Sequence, residues 1–421
     1  MKAPHKPHFV SHLRGLASGQ TYPADELMNL DPLDGRPVEM IIDLERLQRE
    51  RPDGSWYTPT RPNMWRFGGL LGLDIDDPDD AKFIVSGGEG ATPLLEYSDH
   101  PLAEQLGIRL QIKEEGAPVA GYGANPTLSF KDRGMAMVVA MARLFGLQRL
   151  VVPTQGNAGD SLADYALRAN LEAVVIMPDD TPMPVLGKVA ALAGMHDGIH
   201  LDLVQGTIRE ASRRMQERYL PQGYFNVATF QEPGWRIEGK KTLGLELAEP
   251  LPGATRWMLP DVIVYPTGGG TGLLGMWKAF DELESLCLID QRRPVMVAVQ
   301  STETAPLVAA MRDNASDSKP VTAGHTIASG LNVPGGVGHF RVLEILRASG
   351  GPAIAVSEAE IANALQEVWQ HKHWWIAPEG AATLAALPVL ADEGLLSPGQ
   401  RVVCVNTASL EKYLPDLREL L

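Results

Sequence analysis

The stretch from Ala124 to Met135 contains a lysine whose position could support covalent chemistry. It reads A-N-P-T-L-S-F-K-D-R-G-M, so a turn and a short extended segment precede Lys131. Apolar spacing after the lysine predicts a helix over roughly Asp132 to Phe145. An amine at the positive end of a helix dipole, in a site without water, has a lowered pKa and is a nucleophile able to form a Schiff base. The alternative is an ordinary solvated lysine in a first helical turn.

Two glycine-bearing turns each follow a predicted strand and precede a predicted helix. The first is Thr154-Gln155-Gly156-Asn157. The second follows Pro266 and Thr267 and consists of Gly268, Gly269, Gly270, Thr271 and Gly272. Unpaired N–H groups at a helix start, together with consecutive glycines, favour binding of a phosphate group. The second turn has neither a Walker lysine nor G-x-G-x-x-G spacing, which favours a small phosphorylated cofactor over a nucleotide. A tight turn without a ligand is the alternative.

Length and composition exclude several classes of protein. The chain has 421 residues, enough for two or three domains, with 44% hydrophobic and 21% charged residues. Its formal net charge of −15 disfavours nucleic acid or an anionic membrane as the main partner. Two cysteines, Cys287 and Cys404, provide no disulfide framework. Since the sequence shows neither a signal-peptide pattern nor an 18-residue apolar stretch, we expect a cytoplasmic enzyme.

Strands and helices alternate from about residue 108 onward. The predicted strands are continuous β-branched runs, which indicates burial on both faces of parallel sheets. The sequence therefore predicts an α/β architecture with helical crossovers. The predicted strands are Ile108–Ile112, Leu150–Pro153, Val174–Met177, His200–Val204, Val262–Tyr265, Val295–Gln300, Ala353–Val356 and Val402–Val405.

The N-terminal 80 residues are irregular, with an extended pair and a short helix near Leu44 to Glu50. His5, His8 and His12 could suggest a metal site, but Pro7 breaks any helix that would align them. We expect no metal in this protein.

Several motifs occur in the order found in fold-type II pyridoxal-phosphate enzymes. They are the lysine in S-F-K-D-R-G, the asparagine in the G-N turn, the glycine-rich loop and a late Thr407. Within that group the chain resembles the threonine synthases along nearly its whole length, from G-E-G-A-T-P-L-L through R-I-E-G-K-K-T to N-T-A-S-L-E-K-Y. The resemblance implies two three-layer α/β/α domains with mainly parallel sheets. The expected division is an extension over residues 1–85, a large domain over 86–125 and 221–421, and a smaller domain over 126–220.

The N-terminal segment resembles a small zinc ribbon whose ligands are replaced. The pattern C-x-x-C-G-x-x-Y and C-P-x-C-G has Gly15, Ser18, Asp31 and Asp34 at its four cysteine positions. Structural zinc sites need thiolates or imidazoles, so the resemblance implies a degenerate ribbon without zinc.

The resemblance also implies roles for individual residues. Lys131 would hold pyridoxal 5'-phosphate covalently and then carry protons. Asn157 would hydrogen-bond the cofactor's 3-hydroxyl, Thr407 would face its pyridine nitrogen, and residues 268–272 would bind its phosphate. Arg236, in R-I-E-G-K-K-T, would hold the substrate's phosphate through a planar pair of donors, unless it is an exposed arginine at a helix start. Thr154, Gln155 and Ala158 would contact the substrate.

The implied reaction is elimination of phosphate from O-phospho-L-homoserine and addition of water to give L-threonine. An ammonia-lyase acting on threonine or serine, or a related replacement enzyme, is the alternative, because the G-G-G-T-G loop resembles that of dehydratases. A regulatory homologue without turnover is disfavoured by the intact Lys131 and Asn157. The family implies a small amino-acid substrate and a homodimer.

Overall fold

The computed structural model describes residues 2–251, 253–415 and 417. Contacts divide the chain into two compact units. The first unit is Met1–Gly90, Asn125–Thr127 and Lys131–Thr242, and the second is Ala91–Ala124, Leu128–Phe130 and Leu243–Leu421. The strands are β1 Val10–Gly15, β2 Thr21–Pro23, β3 Val38–Ile42, β4 Leu94–Glu96, β5 Arg109–Glu114, β6 Arg149–Pro153, β7 Glu172–Pro178, β8 Ile199–Val204, β9 Phe225–Asn226, β10 Val262–Pro266, β11 Val295–Ser301, β12 Ala353–Val356 and β13 Arg401–Asn406.

The α-helices connect these strands and cover the sheets. They are α1 Leu44–Glu50, α2 Pro78–Ala81, α3 Pro101–Leu106, α4 Lys131–Leu144, α5 Asn157–Arg168, α6 Met183–Met195, α7 Ile208–Arg214, α8 Trp235–Ala248, α9 Thr271–Ser285, α10 Pro306–Arg312, α11 His339–Ser349, α12 Glu358–Lys372, α13 Pro378–Ala385 and α14 Leu387–Asp392. A π-helical turn, Met215–Tyr219, continues α7.

The second unit is built on a six-stranded sheet in the order β12-β11-β10-β13-β5-β4. All pairings are parallel except that of β4, which lies antiparallel at the edge. Every residue of β10 is buried, as the apolar run V-I-V-Y-P predicts for a central parallel strand. Because β10 and β13 are parallel neighbours, the loops that follow them leave the same edge of the sheet.

The first unit combines a four-stranded parallel sheet, β8-β7-β6-β9, with a three-stranded antiparallel ribbon, β2-β1-β3. The predicted α/β class with parallel sheets is confirmed, and each predicted strand is present to within two residues at either end. The units differ from the predicted domain boundaries, because residues 1–85 and 221–242 belong to the first unit. Within the described residues, no helix is both long and apolar enough to cross a membrane.

The ribbon brings three of the four cysteine-replacing positions together. Ser18 Oγ and the Tyr22 hydroxyl both donate to the Asp31 carboxylate, as does Leu33 N at 2.8 Å. A Cβ on Gly15 would lie 2.0 Å from Asp31 Oδ2, so the carboxylate fills the space beside the glycine. Asp34 instead accepts from Arg36 N at 2.8 Å. A carboxylate with its donors thus occupies the place where the pattern would put metal-binding thiols.

The N-terminal histidines contact carboxylates of the same unit. His5 Nε2 lies 2.8 Å from Asp80 Oδ1, and His8 lies 2.7 Å from Glu50 and 3.0 Å from Asp77. In the part of the chain that is described, no group of three or more His, Cys, Asp or Glu side chains could hold a metal ion. The expected absence of metal stays a prediction.

Candidate active site

Lys131 is the first residue of α4 and is half-buried. The three residues before it are held in the second unit, where Phe130 N donates to Thr407 O and Ser409 N donates to Leu128 O, both at 3.0 Å. Ser129 and Ala408 form an antiparallel bridge between these segments. The backbone leading into Lys131 is therefore fixed by the segment that contains Thr407.

Asp132 connects the turn before the lysine to the helix that contains Asn157. Its carboxyl group accepts from Thr127 N and Thr127 Oγ1, both at 2.7 Å, and from Ser161 Oγ at 2.6 Å. Burial raises the pKa of Asp132 to about 7, against the opposing effect of these hydrogen bonds. Since Ser161 is in α5, the starts of α4 and α5 lie side by side in the first unit.

The first glycine turn places Asn157 at the start of α5. Gly156 is the N-cap residue, and its N–H donates to Thr154 Oγ1 at 3.1 Å. Thr154 is buried, Gln155 is exposed, and Asn157 and Ala158 are half-buried. A Cβ on Gly159 would lie 2.7 Å from both Thr154 Cγ2 and Val175 Cγ1, so this position needs a glycine for α5 to pack closely on β7.

The second glycine turn forms a tightly enclosed loop between β10 and α9. A Cβ on Gly268 would lie 2.5 Å from Gly330 O, and one on Gly272 would lie 1.9 Å from the Tyr265 hydroxyl. Gly270 has φ +84° and is the N-cap of α9, where no side chain caps the helix. The first N–H groups of a helix have no intrahelical partner. The loop therefore offers backbone donors and a helix dipole to an anion.

A buried histidine supports this loop and was not identified from the sequence. His339 Nε2 lies 2.8 Å from Gly268 O, and its Nδ1 lies 2.7 Å from Ser318 Oγ. Burial lowers the pKa of His339, which favours the neutral ring. A neutral imidazole can donate to the carbonyl oxygen and accept from the hydroxyl, and it thereby fixes the start of the loop.

Thr407 follows β13 and is buried. The preceding residue, Asn406, donates from Nδ2 to Glu114 Oε1 at 2.7 Å and accepts from Ala377 N at 2.9 Å. Burial raises the pKa of Glu114 to about 7, although Gly116 N, Asn406 and Ala117 N donate to it. These contacts set the direction of the backbone at Thr407.

Arg236 is the second residue of α8 and is 3% exposed, so the alternative of an exposed arginine is wrong. Its Nη2 donates to Val227 O, and its Nη1 lies 3.4 Å from Thr229 Oγ1. A Cβ on Gly134 would lie 3.6 Å from Cβ and Cγ of Arg236. Arg236 therefore packs on α4 one turn after Lys131.

These groups fit a phosphorylated cofactor with an aldehyde. In the loop at 268–272, Gly268, Gly270 and Gly272 pack against Gly330 O, Val342 and Tyr265 with no room for a Cβ. The first N–H groups of α9 are donors suited to a phosphate monoester. Within the described residues, the buried Ser129 hydroxyl has no hydrogen-bond partner, which leaves it available to a ligand. The first unit contains Lys131, Asn157 and Arg236, and the second contains the loop and Thr407.

The chain is similar to known proteins along most of its length. Residues 85–408 match the family model described as "Pyridoxal-phosphate dependent enzyme". The chain is 30% identical to the threonine synthase of Methanocaldococcus jannaschii over 395 residues, which cover 94% of this chain and 91% of that protein. It is also 30% identical to the threonine synthase of Methanosarcina acetivorans over 410 residues, which cover 95% of this chain and 92% of that protein.

Solved structures show the same fold at lower identity. The processed form of threonine deaminase isoform 2 from Solanum lycopersicum aligns with a TM-score of 0.61 and 20% identity, over 81% of this chain and 89% of that chain. Serine racemase from Dictyostelium discoideum aligns with a TM-score of 0.58 and 22% identity, over 76% of this chain and 92% of that chain. At these identities the likeness shows the fold alone.

Proposed function

The chain belongs to the pyridoxal-phosphate-dependent enzyme family, and we propose that it converts O-phospho-L-homoserine and water into L-threonine and phosphate. The observation that carries this proposal is the similarity to threonine synthases along almost the whole chain, including the N-terminal segment outside the family match. The buried Arg236 supports it, because a desolvated phosphate needs cationic donors in place of water.

The residues proposed to hold the cofactor are Lys131, Asn157, Thr407 and the loop at 268–272. We propose that Lys131 holds pyridoxal 5'-phosphate, that Asn157 hydrogen-bonds its 3-hydroxyl, and that the loop at 268–272 binds its phosphate. Thr407 would face the pyridine nitrogen, where a neutral hydroxyl stabilises positive charge less than a carboxylate does. When bound, the cofactor would accept electron density from the carbon atoms of the substrate.

Lys131 would move the protons that the reaction displaces. The protons on Cα and Cβ must leave and be returned elsewhere, which one amine can do by accepting and donating protons in turn. The bond from Cγ to oxygen breaks with its electron pair on the departing phosphate, and water later supplies the hydroxyl at Cβ. Arg236 would hold the phosphate as it leaves, while Thr154, Gln155 and Ala158 would contact the rest of the substrate.

Two further expectations belong to this proposal. A net charge of −15 and the lack of a membrane-spanning helix among the described residues fit an enzyme of small amino-acid substrates. We propose a homodimer that works in the cytoplasm.

The experiment that tests the function is a substrate panel. Purified holoenzyme is mixed separately with O-phosphohomoserine, threonine and serine, and the phosphate, threonine and 2-oxo acid formed are measured. We expect equimolar phosphate and threonine from O-phosphohomoserine alone. Formation of 2-oxo acid from threonine or serine, without phosphate release from O-phosphohomoserine, would instead establish the ammonia-lyase alternative.

A further inference from the structure

A carboxyl group lies beside Arg236, where a bound phosphate would meet its negative charge. Glu232 is 2% exposed, and its Oε1 accepts from Arg236 N at 3.0 Å at the start of α8. The loop that contains it is fixed by the N-terminal segment: Asn29 Nδ2 donates to Gln231 O at 2.6 Å and to Asn226 O at 3.1 Å. A Cβ on Gly234 would lie 2.8 Å from the ribbon backbone at Glu39 and Met40. Glu232 is therefore held in place rather than free to swing away.

This buried region has unused hydrogen-bonding capacity of both kinds. Within the described residues, Glu232 Oε2 accepts no hydrogen bond and Arg236 Nε donates none, although both atoms are buried. A buried acceptor and a buried donor without partners each cost free energy of folding. A ligand that satisfies both atoms must accept a hydrogen bond from the guanidinium. It must also donate one to Glu232 if that side chain is ionised, or accept one from Glu232 if that side chain is protonated. A fully deprotonated anion can accept from Arg236 but has no hydrogen to donate to an ionised Glu232.

We propose that Glu232 is a phosphate-binding residue that shares one proton with the substrate's phosphate group, so that the site selects a protonatable phosphate over an anion that carries no proton. This inference rests on the proposed function and deepens it. Arg236 would supply the positive charge, and Glu232 would accept the P–OH hydrogen or, if protonated, donate to a phosphate oxygen. The two descriptions contain the same atoms and differ only in where the proton lies.

The charges around Glu232 are consistent with such sharing. Burial raises the pKa of Glu232 to about 7, against the charge of Arg236, its backbone hydrogen bonds and the charge of Lys240. The second pKa of a phosphate monoester is about 6. From the ribbon side, Glu39 is paired with Arg14 at 2.6 Å. Near pH 7 a proton can therefore lie on either partner, and it is lost as the pH rises above both values.

The test compares phosphate with sulfate, which carries no proton near neutral pH. Holoenzyme is titrated calorimetrically with inorganic phosphate and with sulfate between pH 6 and 8.5, and Arg236→Ala identifies the signal from this site. For the unchanged protein we expect phosphate to bind at least about 10-fold more tightly than sulfate at pH 6.5, with the preference falling above pH 7. In Glu232→Gln the preference should shrink to about 2-fold, because the amide N–H donates equally well to either anion.

Two controls separate charge from folding. Glu232→Asp keeps a carboxyl group and should retain part of the preference, and Glu45→Gln removes an exposed carboxylate from α1 and should change nothing. Equal affinity for phosphate and sulfate in the unchanged protein, or equal loss of both in Glu232→Gln, would overturn the proposal. If Glu232 proves not to distinguish the two anions but O-phosphohomoserine is still converted to threonine, this inference fails and the proposed function stands. If neither anion binds and no phosphate is released, the proposed function fails with it.

Discussion

Two buried aspartates in the first unit accept three hydrogen bonds each, yet they differ in how readily they ionise. Asp31 in the ribbon accepts from Ser18, Tyr22 and Leu33 N. Asp132 at the start of α4 accepts twice from Thr127 and once from Ser161. Burial opposes ionisation of Asp31, but its hydrogen bonds outweigh burial and lower its pKa. Burial prevails at Asp132 and raises its pKa to about 7.

The difference follows from what surrounds each carboxyl group. Residues 32–35 beside Asp31 are exposed, so water lies close to that network. Residues 133–142 after Asp132 are all buried, so little water compensates for its charge. The same side chain with the same number of donors therefore serves as a charged structural link near the surface and, beside Lys131, as one that is mostly protonated below pH 7. We expect changes at the α4 start to stop catalysis and changes in the ribbon to affect stability alone.

The largest effect is expected at Lys131. Lys131→Ala should lower kcat by roughly 10²–10⁴-fold, because no other group would carry the protons. Borohydride treatment of the unchanged holoenzyme should label the peptide that contains Phe130, Lys131 and Asp132, which mass spectrometry would identify. The matched control is Lys82→Ala, which removes a 53% exposed lysine paired with Asp79 at 3.0 Å and should leave kcat unchanged. A label on another lysine would refute this assignment.

A smaller effect, on stability, separates the two aspartates by its pH dependence. The folded pKa of Asp132 is raised to about 7, so its stabilising contribution is present at low pH and is lost as the pH rises towards 7. Between pH 4 and 7 this loss should be on the order of 4 kcal/mol relative to Asp132→Asn. The folded pKa of Asp31 is lowered, so its contribution is present at neutral pH and is lost as the pH falls below the ordinary aspartate range.

Urea unfolding of the unchanged protein, Asp132→Asn and Asp31→Asn across pH 3–8 measures both differences. Other buried carboxyl groups, Glu114 and Glu232, also have a raised pKa, so only differences between variants are informative. We expect the difference in unfolding free energy between Asp132→Asn and the unchanged protein to change between pH 4 and 7. The corresponding difference for Asp31→Asn should change below about pH 4. If the change in unfolding free energy depends on pH in the same way for both variants, depth of burial does not decide how readily the two aspartates ionise.

The smallest effect concerns metal. With a carboxylate network in place of four thiolates, purified protein should contain no stoichiometric zinc. Chelator should leave its Tm unchanged, because no metal-binding free energy is coupled to folding. One zinc per chain in elemental analysis would contradict the account of the ribbon.

The sequence predicts the long, buried elements well and the tertiary contacts poorly. Strand β12 and helix α1 have the predicted bounds, because apolar runs and caps define them locally. Short strands such as β4 and β9, with three and two residues, have too little pattern to be recognised. Glu232 and His339 were missed because their roles depend on burial against segments far away in the chain, which no local spacing encodes.

Recognition of the substrate's phosphate by Arg236 is tested by removing its guanidinium group. In Arg236→Ala, kcat/KM for O-phosphohomoserine should fall by roughly 10²-fold or more, and Arg236→Lys should restore only part of it, because lysine keeps the charge but not the planar fork. Arg209→Ala is the control, since Arg209 is also the second residue of a helix but is exposed. Any side activity on threonine or serine should barely change. Equal losses on all three substrates would show that Arg236 is structural and would favour the ammonia-lyase alternative.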